Sequence, residues 1–326
     1  MAVPMPDWSE WFAPIPVRGP NRAADRRSSP DQPRSQPGGS TAVGAFRGLT
    51  GRPGPGRPSK GDSTAALALR VQPRTRLGSL AAAWNHQYVL LAGRTAELLP
   101  GRTQRILEIG CGRGQLTVPL AWARPRARIL AIDSFRPPYS RSQAALLASL
   151  RRSGLEDRVD VHRADGPRWL QRPRSARFQG IVSSEFLPEL PVGALLGVFR
   201  ACFRLLELGG STVHIFLSPI PRNEQQRLVI EADSDPRWTR RPPKGWFSPP
   251  PSLACSLLRS AGFVRVRARR VPSRLRFSPA AALQQLTRWR VRPGFVREYG
   301  IAQGRNLLEL PDWVVLSGVR LGAPAS

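Results

Sequence analysis

Short apolar segments alternate with amphipathic segments of helical length along most of this 326-residue chain, and that alternation is the strongest constraint on its fold. Strands that alternate with helices usually lie parallel and are covered by helices on both faces. The last two predicted strands, 264–271 and 312–321, have no clear short helix between them, so we expect the last strand to be antiparallel. The sequence therefore predicts an α/β fold: a doubly wound, mostly parallel seven-stranded sheet with an antiparallel last strand.

The predicted bounds follow hydrophobic periodicity and turn residues. Strands are expected at 105–110, 128–133, 158–165, 178–186, 211–219, 264–271 and 312–321. Helices are expected at 79–99, 115–123, 142–154, 192–210 and 251–263.

The distribution of apolar residues indicates one domain preceded by a tail. Residues 1–76 are rich in Pro, Gly, Ser and Arg and hold few apolar runs. Such a composition buries too little surface to offset the entropy lost on ordering, so we predict a disordered basic tail. Residues 77–326 are the predicted domain. The long connections at about 219–250 and 272–311 are predicted insertions, which at this length are usually functional or disordered.

The segment ILEIGCGRGQLT, residues 106–117, predicts a strand, a tight glycine turn and a helix in succession. The strand ends near Glu108, and Gly110, Gly112 and Gly114 form the turn. Glycine lets the backbone bend sharply and lets a ligand approach without a Cβ in the way. The helix that follows directs free N–H groups toward that ligand. We therefore predict a cofactor-binding site here.

Two classes of cofactor are bound at such a turn. The dinucleotide fingerprint is GxGxxG, but Gln115 stands where its third glycine is required. The pattern Glu-x-Gly-x-Gly-x-Gly instead resembles motif I of the class I S-adenosylmethionine-dependent methyltransferases. The resemblance covers about residues 80–270. It implies a Rossmann-like fold and S-adenosyl-L-methionine as cofactor, with the methionine part of the donor at the end of the first strand, by Glu108.

Two aspartates at later strand ends extend the predicted cofactor site. Asp133 ends the second strand, where the family uses an acid to accept both ribose hydroxyls. Asp165 ends the third strand, where the family places the residue that binds the adenine amino group. The alternatives are a helix cap for Asp133 and a plain Asp-Gly turn for Asp165. The neighbouring Ser134 and Gly166 are included in the predicted cofactor site.

The end of the fourth strand is where this family carries out its chemistry. The segment IVSSEFLPELP lacks the Asn/Asp-Pro-Pro-Tyr/Phe tetrad of the amino methyltransferases that act on adenine or glutamine. Glu185 is the predicted catalytic residue, either binding the acceptor or taking its proton, and Ser183 is included among the cofactor-binding residues. Residues 184–187 are partly similar to the first acidic loop of protein arginine methyltransferases. However, the next acid, Glu189, follows Glu185 at a shorter spacing than the second glutamate of that loop. The alternative is that Glu185 and Glu189 cap the helix that begins near Val192.

The two predicted insertions are candidates for recognising the acceptor. The first combines acids with Trp238, Trp246 and Phe247, which suits either a lid over the site or a packing flap. The second interleaves arginines with aromatic residues. That pattern suits phosphate contact with base stacking, and it equally suits a helix at about 278–290 with its arginines facing water.

Charge and cysteine usage limit the partners and the compartment. The net charge of +28 favours nucleic acid or another acidic partner, although solvated arginine explains it equally well. Cys111, Cys202 and Cys255 have neither metal-ligand nor disulfide spacing, so we expect no metal site and a reducing compartment. We find no bilayer-spanning apolar run and no signal or transit peptide at the start of the sequence, which predicts a cytoplasmic protein without membrane attachment.

These features predict methyl transfer from S-adenosyl-L-methionine to an acceptor that the sequence does not identify. A small molecule or a protein side chain is the favoured acceptor, and RNA is an alternative. A catalytically silent binding module of the same fold is a second alternative, against which the intact Glu108 and Asp133 argue. An NAD-dependent oxidoreductase is disfavoured by Gln115 and by a content of only two lysines, Lys60 and Lys244.

Overall fold

The computed structural model describes residues 80–136, 143–172, 177–239 and 248–322. The predicted tail, residues 1–76, lies outside these ranges, as do Trp246 and Phe247 of the first insertion. The helices are α1 (Leu80–Leu98), α2 (Thr117–Ala123), α3 (Gln143–Arg152), α4 (Gly166–Gln171), α5 (Val192–Leu205), α6 (Glu224–Ser234), α7 (Pro251–Ser260), α8 (Pro279–Arg288) and α9 (Pro293–Glu298), with a short 3₁₀ helix at Leu187–Glu189. The strands are β1 (Arg105–Ile109), β2 (Arg128–Asp133), β3 (Val159–Arg163), β4 (Phe178–Ser184), β5 (Leu206–Leu217), β6 (Val264–Val271), β7 (Arg276–Phe277), β8 (Leu308–Glu309) and β9 (Trp313–Val319).

Seven of these strands form one sheet in the order β3-β2-β1-β4-β5-β9-β6. The strands β1 to β5 pair in parallel, whereas β9 is antiparallel to both β5 and β6. This confirms the predicted fold class, including the antiparallel last strand. The order also differs from the dinucleotide-binding order 3-2-1-4-5-6, which has no strand inserted between the fifth and the sixth.

Helices cover both faces of the sheet, which explains why its central strands are apolar on both sides. One hydrophobic cluster holds buried residues of α1, α2 and α3 together with residues of both insertions, for example Leu91, Leu228 and Leu286. The other cluster holds residues of α4, α5 and α7, for example Phe199 and Leu258. Burial of these side chains away from water is the main force that holds the layers together.

The prediction for residues 192–210 was wrong at its carboxyl end. The helix α5 ends at Leu205, and β5 begins at once with Leu206, which pairs with Phe178 of β4. The apolar run does not distinguish a buried helix turn from a buried strand, so periodicity extended the helix too far. In the structure Gly209 has a φ of +78° and donates its N–H to the carbonyl of Arg320, so the segment belongs to the sheet.

The two insertions pack against each other and against the same face of the sheet as α1. Helix α6 lies in the first insertion, and the predicted helix at 278–290 is α8. Trp238 of the first insertion makes edge contacts with Phe295 and Tyr299 of the second, at 5.7 and 6.3 Å between ring centroids. The backbone N–H of Arg292 also donates to the carbonyl of Trp238 at 2.7 Å. The described parts of the two insertions therefore pack together as one unit on this face of the sheet.

Replacing Gly114 with alanine is expected to lower the free energy of unfolding by about 2–4 kcal/mol, measured by chemical denaturation. Its φ is +85°, and an added Cβ would lie 2.4 Å from Cδ1 of the buried Leu146. Left-handed backbone costs a non-glycine residue roughly 1–2 kcal/mol, and overpacking a core costs about 1–3 kcal/mol more. The matched control is Gly93→Ala in α1, where a Cβ meets nothing within 4 Å and alanine should stabilise the helix by about 1 kcal/mol. Equal stability of the Gly114 variant and the parent protein would contradict this packing.

Candidate active site

The ends of β1, β2 and β4 lie level at the carboxyl edge of the sheet. Ile109 of β1 pairs with Ile132 of β2 on one side and with Ser183 of β4 on the other. The glycine turn follows β1 and is fixed to β2, because Gly110 and Cys111 both donate their N–H groups to the carbonyl of Ile132 at 2.8 and 3.2 Å. The turn therefore lies beside the end of β2, as the predicted cofactor site requires.

Asp133 lies directly against this turn. Its Oδ2 accepts the backbone N–H of Gly112 at 2.8 Å, and its Oδ1 accepts the N–H of Phe135 at 2.6 Å. Each carboxylate oxygen can accept a further hydrogen bond. Thus the acid predicted to bind a ribose and the turn predicted to accommodate a ligand are adjacent, although they are separated by 21 residues in the sequence.

The three glycines of the turn have different structural roles. A Cβ on Gly110 would lie 3.3 Å from the Phe186 side chain, and one on Gly114 would overlap Leu146. Both positions therefore need glycine for packing within the protein. Gly112 has a φ of +52°, and a Cβ there would meet no atom within 4 Å. Gly112 is thus the glycine of the turn whose Cα lies beside open space that a ligand can enter.

Glu108 is a buried acid with an unsatisfied oxygen. Its side chain is 1% exposed, and its Oε2 has no hydrogen-bonding partner among the described residues. Burial raises the pKa of Glu108 to about 7, with a smaller contribution from Asp133, although the hydroxyl of Thr117 opposes the shift. Buried polar groups in native proteins are nearly always hydrogen-bonded, so this oxygen is an acceptor available to a polar ligand.

A second unsatisfied group lies on α1. Asn85 is buried, and neither its Oδ1 nor its Nδ2 has a hydrogen-bonding partner among the described residues. It lies one helical turn before Tyr88, a residue that borders Glu108 and Glu185. The sequence predicted this helix, but helical periodicity gives no indication that a buried amide on it is unpaired.

The predicted residues that follow β2 and β3, namely Ser134, Asp165 and Gly166, lie at this same carboxyl edge of the sheet. Asp165 caps α4, since its Oδ1 accepts the N–H of Arg168 at 3.1 Å, and its side chain is exposed. One of its oxygens is therefore used in a helix cap, whereas the predicted alternative to an adenine contact was a plain Asp-Gly turn. A Cβ on Gly166 would lie 2.9 Å from the ring of Phe186, so this glycine is needed for packing. The carbonyl of Ser134 accepts a bond from Arg163 at 3.3 Å.

Ser183, which was predicted among the cofactor-binding residues, uses its hydroxyl in a contact within the protein. The residue is fully buried, and its hydroxyl lies 2.8 Å from Nδ1 of His214, whose Nε2 lies 2.9 Å from the Thr212 hydroxyl. Side chains alternate between the two faces of a strand, so Ser183 and its neighbour Ser184 point to opposite faces. Ser183 therefore lies near the end of β4, as predicted, and its hydroxyl is engaged inside the protein.

Glu185 follows β4 in a strained conformation. It has a φ of +54°, which is rare for a residue with a side chain. Its N–H donates to the carbonyl of Ile215, and its Oε1 accepts the N–H of Leu217, both at 2.8 Å. Helix α5 begins after Pro191 with no side-chain cap, so Glu185 does not cap it. Residues other than glycine that adopt such a strained backbone conformation are concentrated at functional sites, where the surrounding structure enforces it.

The surroundings of Glu185 favour its protonated form. Burial raises the pKa of Glu185 to about 8, and the nearby carboxylates of Asp233 and Glu189 add to the effect, while the Leu217 N–H opposes it. Asp233 belongs to α6, so the first insertion reaches the predicted catalytic residue. Sequence reasoning treated that insertion as a candidate lid but did not identify Asp233.

Tyr88 of α1 lies near both acids and was missed as a site residue. Its side chain is buried, and burial raises its pKa, as do the charges of Glu185 and Glu108, whereas the Ser184 hydroxyl lowers it. The Tyr88 ring lies 5.8 Å from that of Trp313, whose Nε1 has no hydrogen-bonding partner among the described residues. Tyr88 therefore lies between the turn and the end of β4.

The second insertion reaches the glycine turn. Arg113, in the turn, lies near Arg288 at the end of α8, and burial together with this like charge lowers the pKa of Arg113. Two neighbouring guanidinium groups favour a negatively charged group between them. Both insertions thus contribute a charged side chain to the surroundings of the predicted site.

Replacing Glu108 or Glu185 with glutamine is expected to reduce the pH dependence of the free energy of unfolding of the ligand-free protein. Both carboxyl groups hold protons in the folded state that the unfolded chain releases near pH 4.5, so raising the pH favours unfolding. Their stabilising contribution is complete below pH 4.5 and is lost as the pH rises through about 7 for Glu108 and about 8 for Glu185. Denaturation at several pH values between 4.5 and 8.5 measures this. A parent-minus-variant difference that does not change with pH would contradict the burial of these acids.

Comparisons with known proteins agree with this geometry. The family model described as a methyltransferase domain matches residues 106–210, which include the glycine turn, Asp133 and Glu185. The cyclopropane-fatty-acyl-phospholipid synthase-like protein from Lactobacillus casei superposes with a TM-score of 0.53 at 16% identity, covering 73% of this chain and 91% of its own. Residues 106–210 therefore match the model of a methyltransferase domain, and the superposition shows a shared fold.

Two further structures are similar at lower scores. The S-adenosylmethionine-dependent methyltransferase SibL shares 21% identity and covers 82% of this chain, with a TM-score of 0.49, and this chain spans 64% of the length of SibL. A SAM-dependent methyltransferase from Archaeoglobus fulgidus shares 16% identity over 72% of this chain and 94% of its own, with a TM-score of 0.47. The search of curated proteins found no match. Among the described residues, no helix has the length and apolarity that crossing a membrane requires.

Proposed function

We propose that this protein transfers the methyl group of S-adenosyl-L-methionine to an acceptor that binds beside Glu185. The observation that carries the proposal is the contact between Asp133 and the N–H of Gly112 at 2.8 Å. It brings the carboxylate that we propose for ribose binding next to the turn that we propose for ligand binding, at the carboxyl edge of an open α/β sheet. That edge is where ligands bind in folds of this kind.

The residues of the site fit the proposed cofactor. Asp133 and Ser134 would hold the ribose, and Asp165 with Gly166 would border the adenine. Glu108 would face the methionine part, where the unsatisfied Oε2 can accept a hydrogen bond from an ammonium group. The open space beside Gly112 leaves room for the donor to lie against the turn.

The bound donor supplies an activated methyl group on a sulfonium, so the protein has mainly to align the acceptor and to manage its proton. Alignment of two reactants can account for several kcal/mol of a reaction barrier. Glu185 is held by the Leu217 N–H through Oε1, which leaves Oε2 for the acceptor. A carboxyl group with a pKa of about 8 is well matched to accept a proton from a nitrogen or oxygen nucleophile near neutral pH.

The charges around Glu185 favour a small molecule or a protein side chain as acceptor. Glu185, Glu189 and Asp233 lie together in a chain that is otherwise strongly basic. A cluster of acids repels the phosphates of a polynucleotide and attracts an amine or a guanidinium group. The net charge of +28 supports the alternative, an RNA acceptor, only if phosphates bind elsewhere on the surface.

Calorimetry with S-adenosylmethionine, S-adenosylhomocysteine and NAD tests the donor part of the proposal. We expect both sulfur nucleosides to bind and NAD not to bind. Binding of NAD alone would indicate a dinucleotide enzyme. Binding of neither sulfur nucleoside would favour a silent module and would overturn the proposal.

Transfer of a tritiated methyl group into a fractionated lysate tests the acceptor part. We expect label in the small-molecule or protein fraction. Label confined to RNA would select the alternative acceptor. Absence of label from every fraction, with donor binding intact, would argue against the enzymatic activity.

A further inference from the structure

A cavity lined by arginines lies beyond the proposed reaction centre. Its volume is about 610 Å³, and it is lined by Arg222, Asn223, Arg274, Arg276 and Glu309. Three guanidinium groups against one carboxylate leave the lining with two positive charges. This local charge is opposite in sign to that of the acids around Glu185.

The cavity is built on a buried carboxylate that fixes two of its arginines. Glu309 is 2% exposed, and its Oε1 accepts Arg222 at 2.6 Å and the amide of Gln226 at 3.0 Å. Its Oε2 accepts Nε of Arg276 at 3.3 Å. A guanidinium group has five N–H donors, so both arginines keep donors that can face the cavity. The ion pairs with Glu309 therefore hold both arginines, whose side chains are 42% and 70% exposed for Arg222 and Arg276.

The third arginine has no carboxylate to neutralise it within the described part of the chain. Arg274 is exposed, makes no ion pair with a described residue, and has a φ of +51°. Beside it, Asn223 caps the 11-residue helix α6 by accepting the N–H of Gln226 at 2.9 Å. The positive end of a helix dipole thus adds to the field of the arginines.

We infer that this cavity binds the phosphate group of a small organic molecule. The inference goes beyond the proposed function and names the ligand class as a small phosphate ester. Two net positive charges match the charge of a phosphate monoester near neutral pH. Arginine is the side chain best suited to phosphate, because its planar fork donates two parallel hydrogen bonds.

Buried residues lie between the cavity and Glu185. The strand β5 ends at Leu217, whose N–H holds Glu185, and the next residue, Ser218, donates its N–H to the carbonyl of Asp312 at 2.7 Å. Arg222 follows a few residues later and lies 3.6 Å from the Asp312 carboxylate. Because Ser218 and Asp312 are each 1% exposed, the cavity is a site distinct from the reaction centre.

Calorimetric titration of the full chain with phenyl phosphate tests the inference. We expect binding, with inorganic phosphate at least fivefold weaker because the cavity also accommodates the organic part. Arg274→Gln should weaken phenyl phosphate binding at least tenfold, since it removes the arginine that no described carboxylate neutralises. The matched control is Arg265→Gln on β6, another exposed arginine with a φ of +51°, which should leave the affinity unchanged.

The outcomes separate this inference from the proposed function. No binding of phenyl phosphate, or equal loss in both arginine variants, would overturn the inference while leaving S-adenosylhomocysteine binding intact. Equal affinities for phenyl phosphate and inorganic phosphate would assign the cavity to a free anion and would also overturn it. Phenyl phosphate binding that depends on Arg274, without any binding of S-adenosylhomocysteine, would instead remove the proposed function.

Discussion

Replacing Asp133 with alanine is expected to weaken binding of S-adenosylhomocysteine by about a hundredfold, on the order of 2.7 kcal/mol. The reason is that Asp133 is the carboxylate placed to accept the ribose hydroxyls, and hydrogen bonds to a charged group contribute about 1.5–3 kcal/mol each. The same carboxylate also orders the turn through the N–H of Gly112. Calorimetry on the purified variant measures the change.

A control is needed because Asp133 also supports local structure. Asp160→Ala removes an exposed acid from the neighbouring strand β3 and should leave the affinity unchanged. Asp133→Asn keeps the shape and one acceptor oxygen, so we expect an intermediate affinity. If Asp133→Ala binds the nucleoside as tightly as the parent protein does, Asp133 does not hold the ribose and the proposed donor site is wrong.

Replacing Glu185 with glutamine is expected to lower kcat by 10²–10⁴-fold, the usual contribution of a general base, without weakening donor binding. Because kcat/KM reports the free enzyme, its value should rise with pH through about 8 in the parent protein and lose this dependence in the variant. Tritiated methyl transfer into the acceptor fraction measures both quantities.

The neighbouring acid provides a directional control for the Glu185 prediction. Glu189→Gln removes a negative charge that raises the pKa of Glu185, so its kcat/KM profile should move to lower pH while the maximal rate is retained. A pH profile that is the same in the parent protein and in Glu185→Gln would show that Glu185 does not take the proton.

The sequence was sufficient to predict the architecture because strand and helix periods are local signals. It located the strand ends that carry Glu108, Asp133 and Glu185, and the sheet brings these ends together. It did not predict that α5 ends at Leu205, because an apolar run at a helix end satisfies both helix and strand. The contact of the Ser183 hydroxyl with His214 was also not predicted, since it joins residues 31 positions apart in the sequence.

The rest of the site depends on contacts between distant segments, which no local pattern encodes. Tyr88 lies on a predicted helix, but only the packing of α1 shows that it borders both acids. Asp233 and Arg288 lie in the two insertions, whose packing on the domain was not predicted. The structure places Asp233 near Glu185 and Arg288 near Arg113. The arginine cavity likewise combines residues from β7, β8 and the start of α6.

The most direct measurement of the central claim is a crystal structure of the full chain with S-adenosylhomocysteine. The account predicts the nucleoside along the glycine turn, with the Asp133 carboxylate hydrogen-bonded to the ribose hydroxyls and the Glu108 carboxylate toward the amino-acid part. A nucleoside bound away from the turn, or crystals grown with excess ligand that show none between Gly112 and Asp133, would contradict it.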